Sequence, residues 1–221
     1  MEVREYKLGK HEGFRAYIGG TPVSRKPVSV DMAIAQAKAL EHHGEMPESL
    51  QYALNDDDIH KMIPTLSIKT YQEILGARTL DDILDAKGRL ILLYLTTDAH
   101  TGHWVALLKK HGVVEFCDSY GIRPDGEGKW LTPAKLKQLG QASKHLSALL
   151  NACPYKVVWN NTKLQSDKST IATCGRHALT RLYFKHLPLA KYVKMLKLVQ
   201  KNTGMTPDEF VVGFTSYFIG H

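Results

Sequence analysis

The sequence predicts an α+β fold in which helices come first, a central, mainly antiparallel sheet follows, and helices return to flank it. Three observations predict it. An Ala-rich helical pattern and a capped helix start fill much of the first third. A continuous apolar run, Arg89 to Thr96, opens a cluster of strand patterns. The segment Thr206-Pro207-Asp208-Glu209 has the form of a capping box with Pro at the first helical position, ahead of an apolar stretch. With 221 residues, 43% hydrophobic and 23% charged, the chain is long enough for one sizeable core and short for two. One domain over residues 1–221 is expected, with a mostly helical part (1–88) and a core part (89–221).

Taken in order, residues 1–30 read as irregular or short strands, with Gly19-Gly20, Pro22 and Pro27 as breakers. DMAIAQAKALEHH, from Asp31 to His43, is helical, and Glu48 to Ala53 adds a further turn. Asn55 and the three acids after it cap another helix, with negative charge where the helix dipole favours it. Thr70 to Asp85 holds helical stretches around TYQEIL and LDDIL. After the strand at 89–96, residues 103–109 and 113–118 read as an antiparallel hairpin across Lys110-His111-Gly112. Gly121 to Gly128 is a turn-rich loop, Thr132 to Leu150 is helical, and Tyr155 to Trp159 is a strand. Residues 160–173 are polar and loop-like; Cys174–His186, Ala190–Lys201 and the stretch after Pro207 are helices.

Composition excludes several classes. The densest apolar run has six residues, Leu90 to Leu95, far from the roughly 18 of a membrane span. The N-terminus, MEVREYKLGKHEG, is polar and unlike a signal peptide. Three cysteines, with no CxxC pair, argue against a disulfide framework and a zinc ribbon, so a reducing setting and no metal site are expected. The net charge of +7 is uneven: residues 1–100 carry 12 basic and 15 acidic side chains, residues 101–221 carry 17 and 7. A basic half fits either a polyanionic partner, most simply nucleic acid, or a solubilising surface.

The chemistry-bearing stretch is TCGRHALTRLYF, Thr173 to Phe184. A free thiol is only ~3% thiolate at neutral pH, and a helix N-terminus together with an imidazolium lowers its pKa by several units. Cys174 stands where the first of these acts, and Gly175 leaves room for a substrate backbone. Two histidines compete to serve it. His177 lies one turn on but has no evident carboxylate to orient it and reads as a packing residue. His103 opens the strand HWVALLK. With Lys110-His111 as the turn, Leu107 faces Val114 and His103 faces Asp118, which then orients the imidazole as in a triad; a turn at His111-Gly112, or a three-residue loop with a bulge, changes this register. Gln165, in the polar loop before the cysteine, offers an amide to a developing oxyanion.

GHWVAL, FCDSYG, LQ and TCGRHAL, in that order, resemble the adenovirus-type and Ulp1-like cysteine proteases, permuted relatives of papain, and most of all their virus-encoded maturation branch. The resemblance covers residues 89–185. It implies a permuted papain-like fold with Cys174 as nucleophile at a helix N-terminus, His103 as general base and then acid, Asp118 as its orienting group and Gln165 in the oxyanion hole. It implies Trp104 and Gly175 beside the substrate and a cleft-building role for the first 88 residues. It further implies a monomeric endopeptidase that cuts capsid and other virion precursors after small residues such as Gly-Gly. The pair Gly19-Gly20 before Thr21 is then a candidate self-processing site. No cofactor is required for the chemistry, and the auxiliary factor implied is DNA or a peptide as activator. Lys191, Lys194, Lys197 and Lys201, three or four residues apart on one helical face, are the candidate DNA contacts. The expected location is the virion and the interior of the host cell, with no secretion and no membrane partner. The alternatives are a deconjugase for ubiquitin-like modifiers, an acyltransferase of the same fold, and a basic nucleic-acid-binding protein with a relic site.

Overall fold

Arg89 to Leu95 is buried from end to end because it lies inside a sheet covered on both faces. The computed structural model describes residues 2–8, 11–18, 21–22, 29–41, 46–97 and 101–220. Strands β1 (Glu2–Leu8), β2 (His11–Ile18) and β3 (Thr21–Pro22) form an antiparallel sheet of their own. Helices α1 (Val30–Glu41), α2 (Met46–Ser49) and α3 (Asp56–Met62) follow, then strand β4 (Ile68–Thr70) and helix α4 (Tyr71–Ile74). The main sheet continues with β5 (Arg89–Leu95), β6 (Gly102–Lys110) and β7 (Val113–Cys117). Helices α5 (Pro133–Gln138) and α6 (His145–Ala152) precede β8 (Lys156–Trp159), and α7 (Cys174–Tyr183), α8 (Leu189–Thr203) and α9 (Pro207–Ile219) end the chain.

The sheet runs β4-β5-β6-β7-β8. Its centre, β5-β6-β7, is antiparallel as expected, but both outer strands pair parallel, so the sheet is mixed rather than mainly antiparallel. Alternation along the strands feeds two cores. Ile91, Leu93, Trp104, Ala106 and Leu108 face α7, α8 and α9 on one side. Leu90, Leu92, Tyr94, Val105 and Leu107 face α4 and α6 on the other.

Local signals placed most elements. Asn55 caps α3 in a capping box with Asp58, and Thr206 caps α9 with Glu209. Three expectations need correction. The described part of residues 1–88 is mixed rather than mostly helical, because β1 to β4 accompany α1 to α4. The helix expected over 132–150 is two helices. Between them the buried Gln141 side chain takes the place of a strand partner, accepting from Leu95 N and donating to Leu95 O, both at 2.8 Å. The hairpin turns at His111-Gly112, both with positive φ (50° and 74°) as in a type I′ turn, so Leu107 faces Phe116, not Val114. Gly19 and Gly20, the expected self-processing pair, lie outside the described residues. Among the described residues, no helix is long and apolar enough to cross a membrane, and no group of three His, Cys, Asp or Glu side chains could hold a metal ion.

The helices that carry the site are tied to the sheet by Arg181. This fully buried residue of α7 pairs with Glu115 of β7 and donates to the carbonyls of Phe184 and Leu187 at 2.8 and 2.9 Å. The second Glu115 oxygen accepts from Leu189 N at 2.9 Å and so holds the start of α8. Glu115→Ala leaves the guanidinium buried without its counter-charge. A loss of about 3 kcal/mol is expected in urea unfolding.

Candidate active site

Cys174 is the first residue of α7, partly exposed, with Thr173 before it. The first N–H groups of a helix have no acceptor within it, so the thiol meets the positive end of the dipole. His177, one turn on, is buried and turned to Asp208 of α9, its Nε2 3.1 Å from Asp208 Oδ1. It is committed there and not to the thiol. The imidazole of His103, at the start of β6, lies within hydrogen-bonding reach of Cys174 instead. His103 Nε2 lies 3.0 Å from Asp118 Oδ1, leaving Nδ1 for the sulfur.

The His103–Asp118 contact survives the corrected register for a geometric reason. The register moves by two residues, and side chains alternate with period two, so both residues stay on one face. They become diagonal neighbours, within reach of an imidazole. Asp118 lies just past β7 and is fixed there by Asn160. The Asn160 amide accepts from Asp118 N at 2.9 Å and donates to Asp118 O at 2.6 Å. Tyr120 N donates to Asp118 Oδ1 at 2.6 Å. The rings of Tyr120 and Trp130 flank His103 at 5.0 and 5.6 Å.

Burial alone would lower the His103 pKa, but hydrogen bonds and charge from Asp118 and Cys174 prevail and push it up to about 10. Burial would raise Cys174, but His103 and the N–H groups of Trp104 and Gly175 bring it below the ordinary thiol value. Opposite shifts in a contacting acid and base describe a thiolate–imidazolium pair. Cys117 shows the contrast: burial, without such partners, pushes its thiol up to about 12.

The pair opens onto a cleft of about 1010 Å³ whose lining includes His103, Trp104, Tyr120, Trp130, Gln165 and Cys174. Gln165 is buried and its Oε1 accepts from Ser119 Oγ at 2.7 Å, which orients the amide and leaves Nε2 only a 3.4 Å contact with Ile171 O. Gly175 departs from its expected role. A Cβ there would stand 3.1 Å from Trp104 Cδ1 and 3.3 Å from Leu54 Cβ, so the missing side chain lets α7 seat on Trp104 and Leu54 and does not make room for substrate. Lys191, Lys194, Lys197 and Lys201 are exposed on α8 and do not line the cleft.

No family model matches this chain. The Sputnik virophage protein named Uncharacterized protein V9 is 33% identical over 166 residues, which span 74% of this chain and 94% of that one. The chain belongs to the family of V9. The kinship is viral, and within this V9-family chain several residues support the site that the sequence alone did not single out. In the sequence Tyr120, Trp130 and Asn160 are plain loop or strand-end residues, and Asp208 reads only as part of a helix cap. It accepts from Thr173 Oγ1, His177 and, at 2.9 Å, Ser166 N, and so joins α9 to both ends of the segment from Gln165 to Cys174.

Proposed function

We propose that the chain is a viral cysteine endopeptidase of permuted papain-like fold that cleaves capsid or other virion precursors after small residues. The observation that carries the reading is the single imidazole of His103 bonded to Asp118 on one side and to a helix-terminal thiol on the other. In the reaction, His103 holds the proton lost by Cys174. The thiolate attacks the scissile carbonyl carbon, and the electron pair moves to its oxygen, which the Gln165 amide and the Cys174 N–H receive. Collapse breaks the C–N bond, and His103 gives its proton to the leaving amine. Water then loses a proton to His103 and attacks the thioester, releasing the acid and restoring the thiol. Trp104 and Leu54 line the cleft with Cys174, and their bulk there favours residues without bulky side chains.

The direct test is brief alkylation with iodoacetamide near pH 6, with the products mapped by mass. Cys174 is expected to react at least ~10-fold faster than Cys117 and Cys153, and the advantage should vanish in His103→Ala. Equal rates for all three thiols in the folded wild type would remove the reading. Incubation with virion precursors, modifier conjugates and acyl-CoA then separates endopeptidase from deconjugase and acyltransferase.

The exposed lysine face of α8 is the proposed contact for a DNA activator or track. Duplex binding should fall with salt at a log–log slope of about −3 to −4, one step per lysine neutralised. Replacing all four lysines with alanine should flatten it; an unchanged slope would sink this contact.

A further inference from the structure

Glu127 opens a short 3-10 turn, Glu127–Trp130, and is only 4% exposed. Neither of its carboxyl oxygens has a donor, and neither has Asp118 Oδ2. The two carboxyl groups lie within hydrogen-bonding reach of each other. As two anions they would leave three buried oxygens unsatisfied and two like charges in contact, which a dry site does not tolerate. One added proton, placed between them, removes the repulsion and satisfies the contact. Asp118 already accepts His103 and Tyr120 N on Oδ1, so the negative charge belongs there and the proton on Glu127.

We propose that Glu127 is a positioning residue of the site: a neutral carboxylic acid that donates its O–H to Asp118 Oδ2 and so fixes the carboxylate that orients His103. Burial first, and Asp118 second, push the Glu127 carboxyl up to about 9, so the acid form persists through neutral pH. The other titratable groups facing Glu127 are His103 from β6 and Tyr94 from β5, and the Tyr94 hydroxyl is already committed to Asp125 Oδ1 at 3.0 Å. The arrangement extends the relay to Glu127–Asp118–His103–Cys174. A neutral donor steadies Asp118 without cancelling its charge, as a buried acid elsewhere donates to a catalytic anion.

The inference rests on the reading of Cys174 and His103 as a working pair, and its test separates the two. The alkylation rate of Cys174 is measured from about pH 5 to about pH 8 in wild type, Glu127→Met and Glu127→Gln. Methionine keeps the volume without a donor; glutamine restores a donor. Glu127→Met is expected to move the acid limb upward by about one pH unit, a roughly tenfold lower rate near pH 5.5, as Asp118 loses a charge-assisted hydrogen bond. Glu127→Gln is expected to recover most of that loss. Should wild-type Cys174 show no advantage over the other thiols, the underlying site reading fails. Should wild type be selective while methionine and glutamine behave alike, Glu127 only fills space and the proposal is overturned. Infrared spectra of wild type at neutral pH supply a readout that survives a misfolded variant. They should contain a protonated carboxylic acid C=O band, and its absence would equally overturn the proposal.

Discussion

Cys174→Ala and His103→Ala are each expected to lower cleavage of any peptide bond the wild type cuts by ~10⁴-fold or more, and the double variant by little further. In the proposed mechanism the two side chains act as one unit, since His103 holds the proton that Cys174 gives up. Kinetics on a cleaved precursor, with circular dichroism to confirm folding, check this. Additive losses would mean that the two residues do not work together. Asp118→Asn is expected to be milder but still severe, because the amide keeps the shape and removes the charge that favours imidazolium. The pH profile follows from the same shifts. Reactivity should rise as Cys174 loses its proton below the ordinary thiol value and fall as His103 loses its own near pH 10. The stability consequence has a definite sign. The His103 value is raised in the folded state from 6.5 to about 10, so its contribution to folding is complete below pH 6.5 and is lost as pH rises through about 10.

What was legible in the sequence was what depends on local chemistry. Asn55 with Asp58 and Thr206 with Glu209 are capping boxes, and a capping box is complete within four residues, so both helix starts could be read directly. The apolar run at β5 was legible because burial on both faces leaves no polar alternation. The pairing of His103 with Asp118 follows from the Lys110-His111 turn, one of the turns left open, and survives the observed one only because the two registers differ by an even number of residues. Strand β4 went unseen: its three residues, Ile68–Thr70, carry no pattern and are held by parallel pairing to β5, twenty-odd residues away. Gln141 broke a helix by bonding to Leu95, and Glu127 entered the site from a stretch that reads only as a turn-rich loop. Each of these misses rests on a partner distant in sequence, which local propensity cannot reveal.

Asp208 is where this non-local information is most concentrated, and Asp208→Ala is expected to cost about 4 kcal/mol. Its carboxylate is 3% exposed and stands near the N-terminus of α9, where the dipole favours negative charge. Truncation strands three donors together: Thr173 Oγ1, His177 Nε2 and Ser166 N. A buried donor left without a partner costs roughly 1–3 kcal/mol. Thr173 precedes Cys174 and Ser166 follows Gln165, so the same change frees at once both groups proposed to receive the oxyanion. Folded Asp208→Ala should therefore lose kcat by ~10²-fold with a small change in KM, since the binding cleft is walled by other elements. Asp208→Asn keeps Oδ1 as an acceptor but turns an amide toward Ser166 N–H, and should fall between the two. The pH dependence has the opposite sign to that of His103. Burial alone would raise the Asp208 carboxyl, but His177, Thr173 and Ser166 hold it below its ordinary 3.8, so its stabilisation is present above that value and lost as pH falls through the depressed one. Urea unfolding at about pH 7 and about pH 3, paired with kcat and KM for the folded fraction, measures both effects. A variant as stable and as fast as wild type would show that the loop between Gln165 and Cys174 holds its shape without α9.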